Sequence, residues 1–117
     1  MLNQVVLVGR IATDPEIVEL GNKKRTAINI AVSRSFKNQN GEYDVDFIRC
    51  ILWNAIAEST CEYCNKGDLV GIKGRIQTSS FEKEDGTTTY ITEVIAEKVT
   101  FLSPSIKKEI NETVKAD

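Results

Sequence analysis

The chain has 117 residues, enough for one domain with a core of its own and too few for two. It is 41% hydrophobic and 27% charged and contains no apolar run of membrane-spanning length and no export signal, so we expect a cytoplasmic protein without a membrane partner. Its net charge of −2 argues against nucleic-acid binding when taken alone, but attraction depends on where the cations lie.

Two segments near the N-terminus predict strands. Gln4 to Arg10 (QVVLVGR) is apolar at consecutive positions, which is typical of a strand covered on both faces. Asp14-Pro15 breaks this strand, and Gly21-Asn22 indicates a turn. Thr26 to Phe36 then alternates, so one side should face the core, namely Ile28, Ile30 and Val32.

The segment Asp46 to Trp53 (DFIRCILW) predicts a strand with two different faces. One face is apolar and is a core candidate: Ile48, Cys50 and Leu52. The other face alternates aromatic, cationic, apolar and aromatic groups: Phe47, Arg49, Ile51 and Trp53. Such a face is what a base-stacking platform with a phosphate contact requires.

A helix is predicted from Asn54 to Cys64, ending before Gly67, with an apolar stripe on one side. Its CxxC (Cys61 and Cys64) has no second CxxC and no histidine to complete a zinc site, so we expect buried thiols on the helix and no metal or other cofactor. Leu69 to Ile76 alternates again, with Val70, Ile72 and Ile76 inward and with Lys73 and Arg75 outward.

Two dipeptides, Asn40-Gly41 and Asp85-Gly86, are hairpin signals within polar arms that should project into solvent. After a last strand from Ile91 to Leu102, Ser103-Pro104 ends the domain. We therefore expect one domain over residues 1–104 and a short charged, disordered tail over 105–117. Five strands with one helix between the third and fourth predict an all-β fold, a small antiparallel Greek-key barrel in the OB-fold order.

With these segments laid out, the chain resembles the bacterial single-stranded DNA-binding proteins over almost all of the predicted domain. Each matching segment is weak by itself, but together and in order they are specific: LNQVVLVGR (2–10), DPE (14–16), NIAVSRSF (29–36), DFIRCILW (46–53), AE (57–58), EY (62–63), KG (66–67) and TEV (92–94). The resemblance implies a homotetramer, a dimer of dimers, that coats single-stranded DNA without sequence preference during replication, recombination and repair.

The resemblance places the aromatic stacking residues at four positions: Phe36, Phe47, Trp53 and Phe81. Cations near these aromatics or on outward strand faces are the predicted phosphate contacts: Arg34, Arg49, Lys66, Lys73 and Arg75. Small residues opposite the core side of the second strand leave two interpretations open, a packing surface or room for nucleotides: Ala27, Ala31 and Ser33.

Two features depart from the family's pattern. The cations usual near Phe81 are replaced by Gln77, Ser79 and Ser80, so phosphate contacts there should be weaker. The family's usual ending, an acidic tip closed by Pro-Phe that recruits replication and repair proteins, is not matched by IKKEINETVKAD. The resemblance therefore does not extend to the docking of partners through such a tip, and two interpretations stay open, a shortened chain or a relative from a phage or mobile element.

The first strand is apolar on both sides, and a single barrel would bury only one of them. Pairing with the same strand of another subunit would bury the second side. The alternative in another class is an OB-fold assembly module, such as a primosome accessory subunit, which would not need aromatics at four stacking positions. An enzyme is disfavoured because there is no histidine, no Walker-type glycine loop and no carboxylate cluster with metal-ligand spacing.

Overall fold

A computed structural model describes residues 1–103 as six strands and one helix. The strands are β1 (Val5–Ile11), β2 (Val18–Leu20), β3 (Lys23–Lys37), β4 (Tyr43–Trp53), β5 (Leu69–Glu82) and β6 (Thr88–Phe101). The helix α1 (Asn54–Tyr63) lies between β4 and β5, as predicted. The short exposed strand β2 was not predicted, and the tail predicted over 105–117 lies outside the described residues.

The strands form one sheet in the order β1-β5-β6-β4-β3-β2, and pairing between β1 and β3 closes it into a barrel of five strands. The closing pairs are few, Arg10 with Ala31 and Ile11 with Ile30. The all-β class and the OB-fold order are confirmed. The expectation of a wholly antiparallel barrel is wrong, because β4 and β6 run parallel with Cys50 opposite Val94. A parallel pair needs a long crossover, which α1 and β5 provide here.

The core lies inside the barrel and is built from alternate residues of the strands. Its members are Ile11, Ile28, Ile30, Cys50, Leu52, Ala57, Cys64, Val70, Ile72, Val94 and Ala96. One inward prediction is wrong, since Ile76 is 45% exposed. The last strand pair between β5 and β1 is Gly74 with Val5, so beyond it β5 has no strand paired with it on that side. The Asn3 side chain takes that place, with hydrogen bonds to the backbone N–H and carbonyl of Ile76, but it leaves the Ile76 side chain exposed.

Two hairpins extend from the barrel, as the sequence predicts. At the β3–β4 tip the backbone N–H of Asn38 donates to the carbonyl of Glu42 at 2.7 Å, and at the β5–β6 tip Lys83 donates to Thr87 at 2.8 Å. Glycines 41 and 86 in these turns have φ of +79° and +86°, which favours a residue without a Cβ atom. Residues 33–37 of β3 and 75–82 of β5 are exposed, so these arms extend past the core.

The helix ends earlier than predicted. The backbone N–H of Cys64 donates to the carbonyl of Thr60 at 2.9 Å, and Cys64 caps the helix in an extended conformation, so Gly67 lies in the following turn. Cys64 and Cys50 are buried, whereas Cys61 is only partly covered. Burial raises the pKa of the Cys50 thiol to about 12, which keeps it protonated. Within residues 1–103, no group of three or more metal-ligating side chains is placed to hold an ion, and no helix is long and apolar enough to cross a membrane.

Candidate nucleic-acid interface

The outer side of β4 carries the predicted stacking face. Phe47, Arg49 and Trp53 point away from the core, because Ile48, Cys50 and Leu52 between them point into it. Phe47 is 69% exposed and Trp53 is half-buried. One residue predicted for this face, Ile51, is not exposed on it.

Ile51 lies on the outer side but is only 3% exposed, so it is not available to a ligand. Its cross-strand neighbours are Ala27 on β3 and Ile95 on β6, and Ile95 is buried as well. A small apolar cluster therefore separates Arg49 from Trp53 along the strand. The sequence pattern does not reveal it, because β4 and β6 are distant in the chain.

The same outer side continues across β6 onto β5. Arg75 is opposite Ile95 and Gln77 is opposite Glu93, and residues paired across strands share a side. By alternation along β5, Lys73 and Phe81 share that side. We call this surface the outer face. It brings together six of the predicted site residues: Phe47, Arg49, Trp53, Lys73, Arg75 and Phe81.

The other three predicted residues lie elsewhere. Phe36 is exposed near the end of the β3 arm, beyond a register irregularity between Ser33 and Lys37. Arg34 lies on the same arm and is held by an ion pair described below. Lys66 lies in the turn after α1, where its backbone N–H donates to Asp14 Oδ1 at 2.8 Å and its side chain is exposed. These three do not join the outer face.

Two of the predicted phosphate contacts are paired with carboxylates. Arg34 donates from Nη2 and Nε to Asp46 at 3.0–3.3 Å, with Asp44 at 3.8 Å from Nη1. The hydrogen bonds from Arg34 lower the pKa of Asp46, and the same contact raises the pKa of Arg34. On the outer face, Arg49 Nε lies 2.5 Å from Glu93 Oε2. The sequence indicated these arginines but not their partners, which depend on the register between strands.

A shallow hollow of about 290 Å³ lies where β1, β3 and β4 meet. It is lined by Val8, Gly9, Arg10, Ala31, Ser33, Val45 and Leu69. Ala31 is directly opposite Phe47, so the small side chain leaves space beside an exposed aromatic ring. Val8, which lines the same hollow, also belongs to the exposed side of β1, so the hollow fits both interpretations, a packing surface and room for a nucleotide. Arg10, which was not among the predicted contacts, lies on the rim and donates to the carbonyl of Gly67 at 3.0 Å.

The outer side of β1 is uncovered within one chain. Val6 is 69% exposed and Val8 is 53% exposed. β3 pairs with Arg10 and Ile11 of β1 and also approaches Gly9 closely, so among residues 1–103 the backbone edge of β1 from Val5 to Val8 has no strand paired with it on that side. An apolar strand with an open edge is a surface suited to pairing with another chain.

Comparison with known proteins shows the family to which the chain is related. The model of the single-strand binding protein family matches residues 2–102. Single-stranded DNA-binding protein B of Bacillus subtilis is 46% identical over 110 residues, which cover 93% of this chain and 97% of that protein. Single-stranded DNA-binding proteins of Oceanobacillus iheyensis and Bacillus cereus are 50% and 46% identical over 87% and 89% of this chain, which spans 64% and 62% of their lengths. The chain belongs to the single-strand binding protein family.

Proposed function

We propose that this protein binds single-stranded DNA without sequence preference, by stacking bases on aromatic side chains and by placing phosphates near cations. The observation that carries the proposal is the outer face, where the exposed ring of Phe47 shares a strand side with Arg49 and Trp53. An exposed aromatic beside a cation contributes little to the core, and it matches the way single strands are held. Three relatives that are named for this activity support the proposal.

The role that follows is to coat and protect single strands in the cytoplasm, at the nucleoid, during replication, recombination and repair. Residues 1–103 carry the aromatic and cationic groups that this role needs, and it requires neither catalysis nor a cofactor. The docking of replication and repair proteins through an acidic tip is not part of the proposal.

The contacts divide into two kinds with different salt dependence. Stacking on Phe47, Trp53 and Phe81 removes apolar ring surface from water and varies little with ionic strength. Phosphate contacts release counterions, so each one adds about −0.7 to the slope of log affinity against log salt for a single strand. Lys73 and Arg75 are the predicted contacts of this kind on β5.

Fluorescence tests the proposal directly, because Trp53 is the only tryptophan. Adding oligo-dT to the unmodified protein should quench a large part of the emission as a base replaces water against the indole. A duplex of the same length is the control and should quench much less. Unchanged emission at saturating oligo-dT would show that no base stacks on Trp53, and absence of binding in a band shift would leave an assembly module as the remaining candidate.

We infer further that the protein is a homotetramer, a dimer of dimers, that forms through β1. Two observations support this: the exposed valines of its outer side and the open edge from Val5 to Val8. Edge pairing with a second copy would satisfy the free backbone groups, and stacking of the joined sheets would cover Val6 and Val8.

Replacing Val6 with lysine should lower the oligomeric state, because a charge would then have to be buried in an apolar interface. The matched control is Val18→Lys, which places the same charge on another exposed valine, on β2. Light scattering at micromolar concentration measures both variants. A monomer for the unmodified protein, or equal dissociation of the two variants, would contradict assembly through β1.

A further inference from the structure

An ion pair occupies the middle of the outer face. Arg49 lies on β4 between the rings of Phe47 and Trp53, and its Nε donates to Glu93 Oε2 on β6 at 2.5 Å. The Glu93 side chain is only 18% exposed, whereas that of Arg49 is 46% exposed. The carboxylate therefore lies lower in the face than the guanidinium it holds.

This pair changes what Arg49 offers to a ligand. The residues opposite the pair on the flanking strands, Asn29 on β3 and Gln77 on β5, are uncharged, so Glu93 is the carboxylate that balances the charge of Arg49 across these strands. The next cation on this side is Arg75, whose Nη2 donates to Gln77 Oε1 at 3.4 Å. A partly buried pair is screened less by salt than an exposed one. The most central cation of the face therefore exerts little net attraction on a phosphate in the free protein.

A phosphate that approaches Arg49 meets the guanidinium and the carboxylate together. Arginine has five N–H donors, and a bidentate contact to phosphate uses two of them in one plane. With the Nε donor already engaged, such a contact either forms at the other edge of the guanidinium, close to a negative charge, or displaces Glu93. Either arrangement has a free-energy cost that a phosphate contact with an unpaired arginine would not have.

We propose that Glu93 is an internal competitor of DNA phosphate that limits the affinity of the outer face for single strands. This rests on the proposed function, since it concerns the same surface. Glu93 lowers affinity by occupying Arg49, and it also weakens the salt dependence, because a displaced carboxylate takes up a cation while the DNA releases one. Glu93 thus limits the affinity for single-stranded DNA although it need not contact the DNA itself.

The test is a salt titration of oligo-dT binding to the Glu93→Gln variant. The variant should bind about two- to fivefold more tightly at low salt, the range expected for loss of a competing ion pair near the surface. The slope of log affinity against log salt should become steeper by less than one unit. Glu62→Gln, which changes the net charge equally on the exposed side of α1, should change affinity by less. Glu93→Asp retains the charge on a shorter side chain and should fall between the wild type and Glu93→Gln.

A double-mutant cycle separates competition from general electrostatics. In an Arg49→Ala background, Glu93→Gln should increase the affinity for oligo-dT much less than it does in the wild type, because there is no guanidinium left to release. A gain that persists without Arg49, or an unchanged or weaker affinity of both Glu93 variants, overturns the proposal; the weaker affinity would mean that Glu93 positions Arg49 for binding. Failure of the unmodified protein to bind oligo-dT would instead reject the proposed function.

Discussion

Replacing Trp53 with alanine should weaken the binding of oligo-dT by about 1–3 kcal/mol for each base that stacks there, or roughly 5- to 150-fold per engaged site. The indole is the largest aromatic group on the outer face, and alanine offers a base no surface in its place. Because the variant has no tryptophan, fluorescence anisotropy of a labelled oligonucleotide is the measurement.

Two variants make this result specific. Trp53→Phe keeps an aromatic surface and should recover most of the affinity. Tyr90→Ala removes a more exposed aromatic side chain, but Tyr90 alternates with the outward Ile91 and so lies on the opposite side of the sheet. A loss from Tyr90→Ala as large as that from Trp53→Ala would place the DNA on the wrong side for the proposed interface.

Replacing Gly74 with alanine should destabilise the fold by about 1–3 kcal/mol, the usual cost of forcing an atom into a packed site. A Cβ atom at this position would lie 2.2 Å from the carbonyl oxygen of Ile95 and 3.2 Å from the Cα of Ala96. Both are backbone atoms of β6, so no side-chain rotation relieves the overlap and the strands must separate. The pairing is already irregular here, between Lys73 and Gly74.

Thermal unfolding measures this effect, with about 4–8 °C of lowered midpoint for each kcal/mol in a domain of this size. The control is Gly71→Ala on the same strand, where a Cβ atom would make an ordinary contact at 3.5 Å with the Leu102 side chain. Equal midpoints for the two variants at one protein concentration would contradict the close approach of β5 and β6.

The features that local chemistry determines could be predicted from the sequence. Asn40-Gly41 and Asp85-Gly86 indicated both hairpins, because the turns need φ values that glycine adopts freely. The alternation from Asp46 to Trp53 indicated which side chains point outward, and the structure places Phe47, Arg49 and Trp53 there.

The features that depend on register between distant strands could not be predicted. Ile51 was assigned to the stacking surface because nothing in its own strand shows that Ile95 lies beside it. The parallel pairing of β4 and β6 and the partnership of Arg49 with Glu93 have the same origin, a contact between residues 44 positions apart. Ile76 was assigned to the core because the alternation along β5 continues beyond Gly74, the residue paired with Val5 at the start of β1.

The pairing of β1 with β5 has a consequence for synthesis of the chain on the ribosome. Val5 pairs with Gly74 and Arg10 with Leu69, so the longest partner of the first strand is made well after it. The β3–β4 hairpin has its partners close in the chain, so we expect it to pair earlier than β1, whose valines stay exposed to water until β5 is made. During that interval the strand is a target for chaperones and for the same strand of neighbouring nascent chains. Translation from closely spaced ribosomes therefore brings together the surfaces through which we expect the subunits to assemble.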